Sequence, residues 1–115
     1  QATYAPKTER THARLDWTRP AEDVARAVRA YDPRPGAFAT LRGAEVKLFG
    51  ARPVVVEERP DVTPGEVIAL GPDGMDVKCG EDAVRIALAQ PAGKARLRVA
   101  DWANGRGIAL GDLLG

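Results

Sequence analysis

The sequence predicts a mainly β fold with short helices: a small antiparallel barrel preceded by a linker and one amphipathic helix. Three observations carry this expectation. Five or six segments rich in β-branched and aromatic residues fall between Ala37 and Gln90, at spacings of roughly ten residues and separated by Gly-, Pro- and Asp-containing breaks. One helical pattern precedes them, with Ala21, Val24, Val28 and Tyr31 on a single apolar stripe and Glu22, Arg26 and Arg29 away from it. Between the two stands Asp32-Pro33-Arg34-Pro35-Gly36. Each proline there fixes φ, removes a backbone donor and pushes its predecessor out of the helical region, so no helix passes and the chain must turn a corner.

Taken in order, residues 1–17 are expected to be an interdomain linker with a short helical turn, and residues 18–115 the barrel domain. Gln1 to Lys7 shows no periodicity and contains Pro6; Thr8 is placed to cap a turn through Arg14. In "RLDW", Leu15 and Trp17 alternate with Asp16, as in a short strand. Thr18, Pro20, Glu22 and Asp23 together predict a helix start, because a hydroxyl cap, an early proline and early acids satisfy or complement its free N–H groups. "AFATL" and "EVKLFGARPVVV", separated by Arg42-Gly43, form a hairpin pattern. "RPDVTPG" is a loop by composition, "EVIAL" a strand, "GPDG" a tight turn and "MDVKC" a return strand. "AVRIALAQ" is a further strand, Gln90 to Gly93 is expected to end the sheet, and a last helical turn around Ala100–Asn104 carries Trp102.

At 115 residues with 44% hydrophobic content, the chain suits one domain with a modest core. Its apolar runs are only a few residues long, so no membrane span is expected. The polar start, without an initiator Met or an apolar signal region, suggests a piece of a longer protein. A single cysteine, Cys79, permits no internal disulfide, which suits a reducing cytoplasm. Net charge is only +1, but it is segregated: Glu57 to Asp82 carries −6, and the remainder +7, with +3 in each of Arg34–Arg52 and Lys94–Arg106. Such segregation can present a basic face on a nearly neutral domain. Charge alone leaves that reading level with one of ordinary solvated surface residues.

No group of residues supports catalysis or metal binding. His12 stands alone among charged neighbours, whereas metal sites need several ligands. Cys79 alternates with apolar residues and reads as core, since a reactive thiolate needs an accessible, electropositive setting. Adjacent Glu57 and Glu58 point to opposite sides of a strand and make a poor acid–base pair. "NGRGIALG" lacks the strand–turn–helix order of a dinucleotide loop.

The segments "APKTERTHARLDW", "YDPRPGAFATLRGAEVKLF", "PGEVIAL", "QPAGKARL" and "GRGIALGDLLG" occur in that order. Together they resemble the C-terminal domain of bacterial methionyl-tRNA formyltransferase over essentially the whole chain. The resemblance implies an OB-like barrel that holds initiator methionyl-tRNA, chiefly by its phosphates. It also implies an upstream catalytic domain in the same chain, which would use 10-formyltetrahydrofolate as co-substrate; this chain itself would hold no cofactor. By position, Lys7 and Arg14 match basic residues of the family's linker, Lys47 its hairpin cation, and Lys94 and Arg96 its basic pair. Arg42, Arg98 and Arg106 join by charge and sequence proximity. Where the family has Trp between the corner prolines, this chain has Arg34. Either the aromatic's packing role passes to Phe38 or Trp102, or the corner is exposed and Arg34 is a further phosphate ligand. The cost of burying an unpaired guanidinium favours the second. A cytoplasmic monomer is expected. Two other classes stand beside this one. The first is a structural domain of another 10-formylfolate-dependent enzyme, such as a sugar-amine N-formyltransferase or formyltetrahydrofolate dehydrogenase. The second is a general single-strand binder, disfavoured because aromatics are only 5% of residues and stacking platforms need exposed ones.

Overall fold

The computed structural model describes residues 13–32, 34, 36–58 and 60–115. Lys7 and nearly all of the turn expected at Thr8–Arg14 lie outside them. Helix α1, Ala21–Ala30, buries Ala21, Val24, Ala25 and Val28; of the expected stripe, Tyr31 instead falls at the C-cap and is half-buried against the core. Its outer face is self-neutralised: Asp23 accepts from Arg19 at 3.0 Å and from Arg26 at 3.2 Å. Thr18 does not cap this helix. Pro20 is the N-cap residue and supplies no side-chain bond, while the Thr18 hydroxyl donates to Asp16 Oδ1 at 2.5 Å. With Pro20 at the N-cap, Thr18 lies two residues before the position from which a side chain could cap, and both its N–H and its hydroxyl go to Asp16.

Six strands follow: β1 Ala37–Leu41, β2 Ala44–Val54, β3 Val67–Gly71, β4 Gly74–Lys78, β5 Ala83–Pro91 and β6 Leu97–Arg98. They form one antiparallel sheet in the order β1-β2-β5-β4-β3, with β6 paired to β5. The β1–β2 hairpin closes on Arg42 and Gly43, both at positive φ (51° and 81°), the two-residue turn whose twist matches a right-handed strand pair. Proline and glycine do not end the sheet at Gln90–Gly93: Pro91 still belongs to β5, and the chain returns through β6. The alternation expected for β4 is present, but its charged residues are buried too, Asp76 at 8% exposure and Lys78 at 4%. Each has a partner. Asp76 takes a bidentate bond from Arg85 at 2.8 and 3.1 Å. Lys78 Nζ donates to the Cys79 carbonyl at 2.6 Å and pairs with Glu58 at 3.2 Å.

No ladder joins the outer strands β1 and β3. The C-terminal tail spans them instead. Leu114 N–H bonds the Gly65 carbonyl (2.8 Å), Val67 N–H bonds Asp112 O (2.9 Å), and Gly115 exchanges backbone bonds with Thr40 (2.7 and 3.2 Å). On the same outer edge of β1, Leu15 and Phe38 donate backbone bonds to Phe38 and Ala13 respectively, both 2.9 Å, which buries Ala13, Leu15 and Trp17. Helix α2, Val99–Asn104, buries Val99 and Trp102 against the other end of the sheet. Among the described residues no helix is long and apolar enough to cross a membrane.

Candidate nucleic-acid interface

The outward side of the β1–β2–β5 sheet gathers cations around two phenylalanines. In an antiparallel pair, residues directly opposite share a face, so Phe38, Lys47 and Gln90 form one cross-strand row. Arg14 lies over the Phe38 ring at 5.8 Å from its centroid. At the other end of the row, Gln90 Nε2 donates to the Lys94 carbonyl at 3.0 Å, holding the 92–94 turn beside the strand. A second row runs Phe49–Leu88–Arg98. Here Arg96 sits on the Phe49 ring, its Cζ 3.9 Å from the centroid. The corner returns over both rows: a methyl added at Gly36 would stand 3.1 Å from Lys47 Cδ and 3.2 Å from the Phe49 ring. Exposed Arg34 is two residues away.

These contacts bring Arg14, Lys47 and Arg96 into one patch; the backbone of Lys94 is held beside it, and Arg34 is close to it in sequence, two residues before Gly36. Phe38 and Phe49 are buried, yet both lie outside the continuous core cluster. They serve as floors under guanidinium planes, and each ring face holds its arginine by the cation–π attraction. The rings offer no open surface on which a base could stack. Glu45, on the same strand face as Lys47 and lining the same groove with Gln90 and Pro91, is the acid of this patch.

The other nominated cations are placed differently. Arg42 pairs with Asp112 at 2.8 Å and thereby ties the β1–β2 turn to the tail. Arg98 ends the second row, but its guanidinium is turned onto Asp101 at 3.2 and 3.3 Å, which raises its pKa. Arg106 is exposed beyond α2, at a φ of 67°. Arg34 is exposed, as the second of its two expectations required, while Phe38 and Trp102 are both buried. Sequence reasoning missed Phe38, Phe49 and Gln90 as parts of this site. The one signal for them is cross-strand register, which the hairpin turn at Arg42-Gly43 does allow one to count out for Phe38 opposite Lys47.

Burial first, against a smaller opposing effect of Lys78, pushes the Cys79 thiol up to about 12. Among the described residues no group of three or more His, Cys, Asp or Glu could hold a metal.

The profile of the family described as formyl transferase, C-terminal domain, matches residues 7–107. The chain belongs to that family. Among curated relatives, a methionyl-tRNA formyltransferase of Magnetococcus marinus is 43% identical over 98% of this chain and 35% of its own. One from Paraburkholderia phymatum is 44% identical over 96% of this chain and 33% of its own. The chain thus spans about a third of the length of these relatives. Among solved structures, HypX from Aquifex aeolicus in complex with tetrahydrofolic acid is similar at a TM-score of 0.67 and 33% identity. That match covers 84% of this chain and 17% of HypX. A HypX variant gives a TM-score of 0.69 over 92% of this chain. For the family, the fold described above is therefore a module attached to longer chains.

Proposed function

We propose that this chain is the tRNA-binding C-terminal domain of a methionyl-tRNA formyltransferase. The full enzyme would transfer a formyl group from 10-formyltetrahydrofolate to initiator methionyl-tRNA, in the cytoplasm and as a monomer. This domain contributes no catalytic group to that reaction. Its part is to hold the RNA by phosphates, through Arg14, Arg34, Lys47, Lys94 and Arg96, with Lys7, Arg42, Arg98 and Arg106 as further contacts. The observation that carries the reading is the patch itself: two arginines set on buried rings on either side of a strand lysine. Phosphate binding needs several cations on one face and no catalytic geometry.

The likeness to HypX favours a second reading, a structural domain of another formylfolate-dependent enzyme that binds no tRNA. Titration of this chain with initiator tRNA between about 50 and 200 mM salt separates the two. Five phosphate contacts give a log–log salt slope of up to about −4.5, at about −0.9 per duplex phosphate. A Lys47→Ala/Arg96→Ala variant weakens binding and makes the slope shallower by about 1.8. Absence of saturable binding at low salt, with the fold intact by circular dichroism, supports the structural-domain reading instead.

A further inference from the structure

We infer that the interface continues along the second half of β2 through Arg52, with Arg29 beside it, as an additional contact for an RNA phosphodiester backbone. This rests on the reading of the chain as an RNA-binding domain and extends it to residues outside the patch.

The parity of burial along β2 changes at Gly50. Before Gly50, the buried core positions are Val46 and Leu48; after it, the core position is Ala51. Odd replaces even. The partner strand changes with it, from Ala89 to Ile86 and Val84. Gly50 has a φ of 67°, a left-handed conformation that glycine adopts at no steric cost and that re-aims the strand. Lys47 is half-buried and Arg52 exposed, and neither belongs to the core cluster in its half of β2. They stand five residues apart, a rise of about 17 Å.

Arg52 lies in a third cross-strand row, Arg52–Arg85–Asp76. Like charges directly opposite each other destabilise a sheet. The Asp76 carboxylate neutralises one of the two, gripping Arg85 at 2.8 and 3.1 Å. Among the described residues Arg52 pairs with no carboxylate. The sheet thus tolerates an exposed, uncompensated cation facing another cation, where threonine or glutamate would suit the fold better. Arg29 Nη1 donates to the Ala51 carbonyl at 3.3 Å, so a second guanidinium is anchored at the peptide that precedes Arg52. A polyanion supplies the countercharge that the fold withholds.

The test uses this chain with Arg52→Glu and Arg52→Thr, titrated with initiator tRNA over a salt series and unfolded thermally, beside Lys47→Ala/Arg96→Ala. Both Arg52 variants should unfold at or above the wild-type temperature, because the like-charge contact is gone and glutamate can pair with Arg85. Both should nevertheless bind tRNA more weakly, by about 3-fold for threonine and about 10-fold for glutamate, with a salt slope shallower by about 0.9 for threonine. Wild-type affinity and slope in both variants, with weakened binding by Lys47→Ala/Arg96→Ala, overturn the extension and leave the RNA-binding reading standing. No binding by the wild-type chain removes both.

Discussion

Leu114 tests how the sheet is closed. The tail crosses from β3 to β1 by backbone bonds, and Leu114, at 2% exposure, is the one side chain of residues 110–115 that belongs to the core cluster. Leu113 beside it is 55% exposed. Truncating a buried leucine to alanine costs about 2–5 kcal/mol, less where the surroundings can collapse into the space. No neighbour in residues 110–115 shares the core with Leu114, so the lower part of that range applies, about 2–3 kcal/mol. Total stability for a domain of this length is about 6–17 kcal/mol, so the loss is a substantial share. In urea unfolding followed by circular dichroism, Leu114→Ala should lose about 2–3 kcal/mol, while Leu113→Ala stays within about 0.5 kcal/mol of wild type. Hydrogen exchange should report the same event, with the Thr40 and Val67 amides losing protection first because their acceptors are in the tail. Equal effects of the two substitutions, or a Leu114→Ala protein as stable as wild type, would refute the view that the tail closes the barrel.

Two further outcomes follow from the residues at the end of β4. Cys79 is wholly buried with its pKa pushed up to about 12, so an aromatic disulfide reagent at pH 8 should label it only as fast as the domain opens, and at once in denaturant. Glu58 has its pKa held below 4.5, first by the Asp82 N–H and then by Lys78. A depressed carboxylate contributes stability above its unfolded pKa and loses it as pH falls through the folded value. As pH falls from neutral through the folded value, wild-type stability should therefore fall more steeply than that of Glu58→Gln, which is already weaker at neutral pH because its neutral amide offers one acceptor oxygen where the carboxylate offers Lys78 and the Asp82 N–H one each; parallel pH profiles would count against the pair.

Local chemistry made much of this fold legible in the sequence. The Arg42-Gly43 turn set the β1–β2 register, the stripe Ala21–Val24–Val28 set the helix face, and the two corner prolines separated them. What remained hidden was non-local. Two residues, Leu97 and Arg98, make a strand because β5 offers them an edge, and no two-residue pattern announces that. The closing role of the tail depends on where β1 and β3 end in space. The site shows the same division. Cations could be nominated by type and position, but the rings beneath Arg14 and Arg96 belong to other segments, and Asp112 reaches Arg42 only in the folded chain.

Pairing decides which cations are available more than counting does. The acid-rich stretch Glu57–Asp82 spends several of its carboxylates inward: Glu58 on Lys78, Asp76 on Arg85 and Asp82 on the Val56 N–H. Helix α1 likewise neutralises Arg19 and Arg26 with its own first-turn acids. The cations of β2 and the 92–96 turn lie outside this arrangement, so a chain of net charge +1 still turns a cationic face outward. Arg42 and Arg98 stand between the two groups. Their ion pairs are exposed on the arginine side, at 60% and 66%, and such pairs are worth about 0–1 kcal/mol. A phosphate that reaches either arginine competes with a weak partner. At Arg98 the exchange frees only Asp101. At Arg42 it also releases Asp112, whose carboxylate holds the Ala109 N–H and whose carbonyl holds Val67. On the proposed reading, a phosphate at Arg42 would compete with the pair that ties the β1–β2 turn to the tail, whereas one at Arg98 would compete only with Asp101.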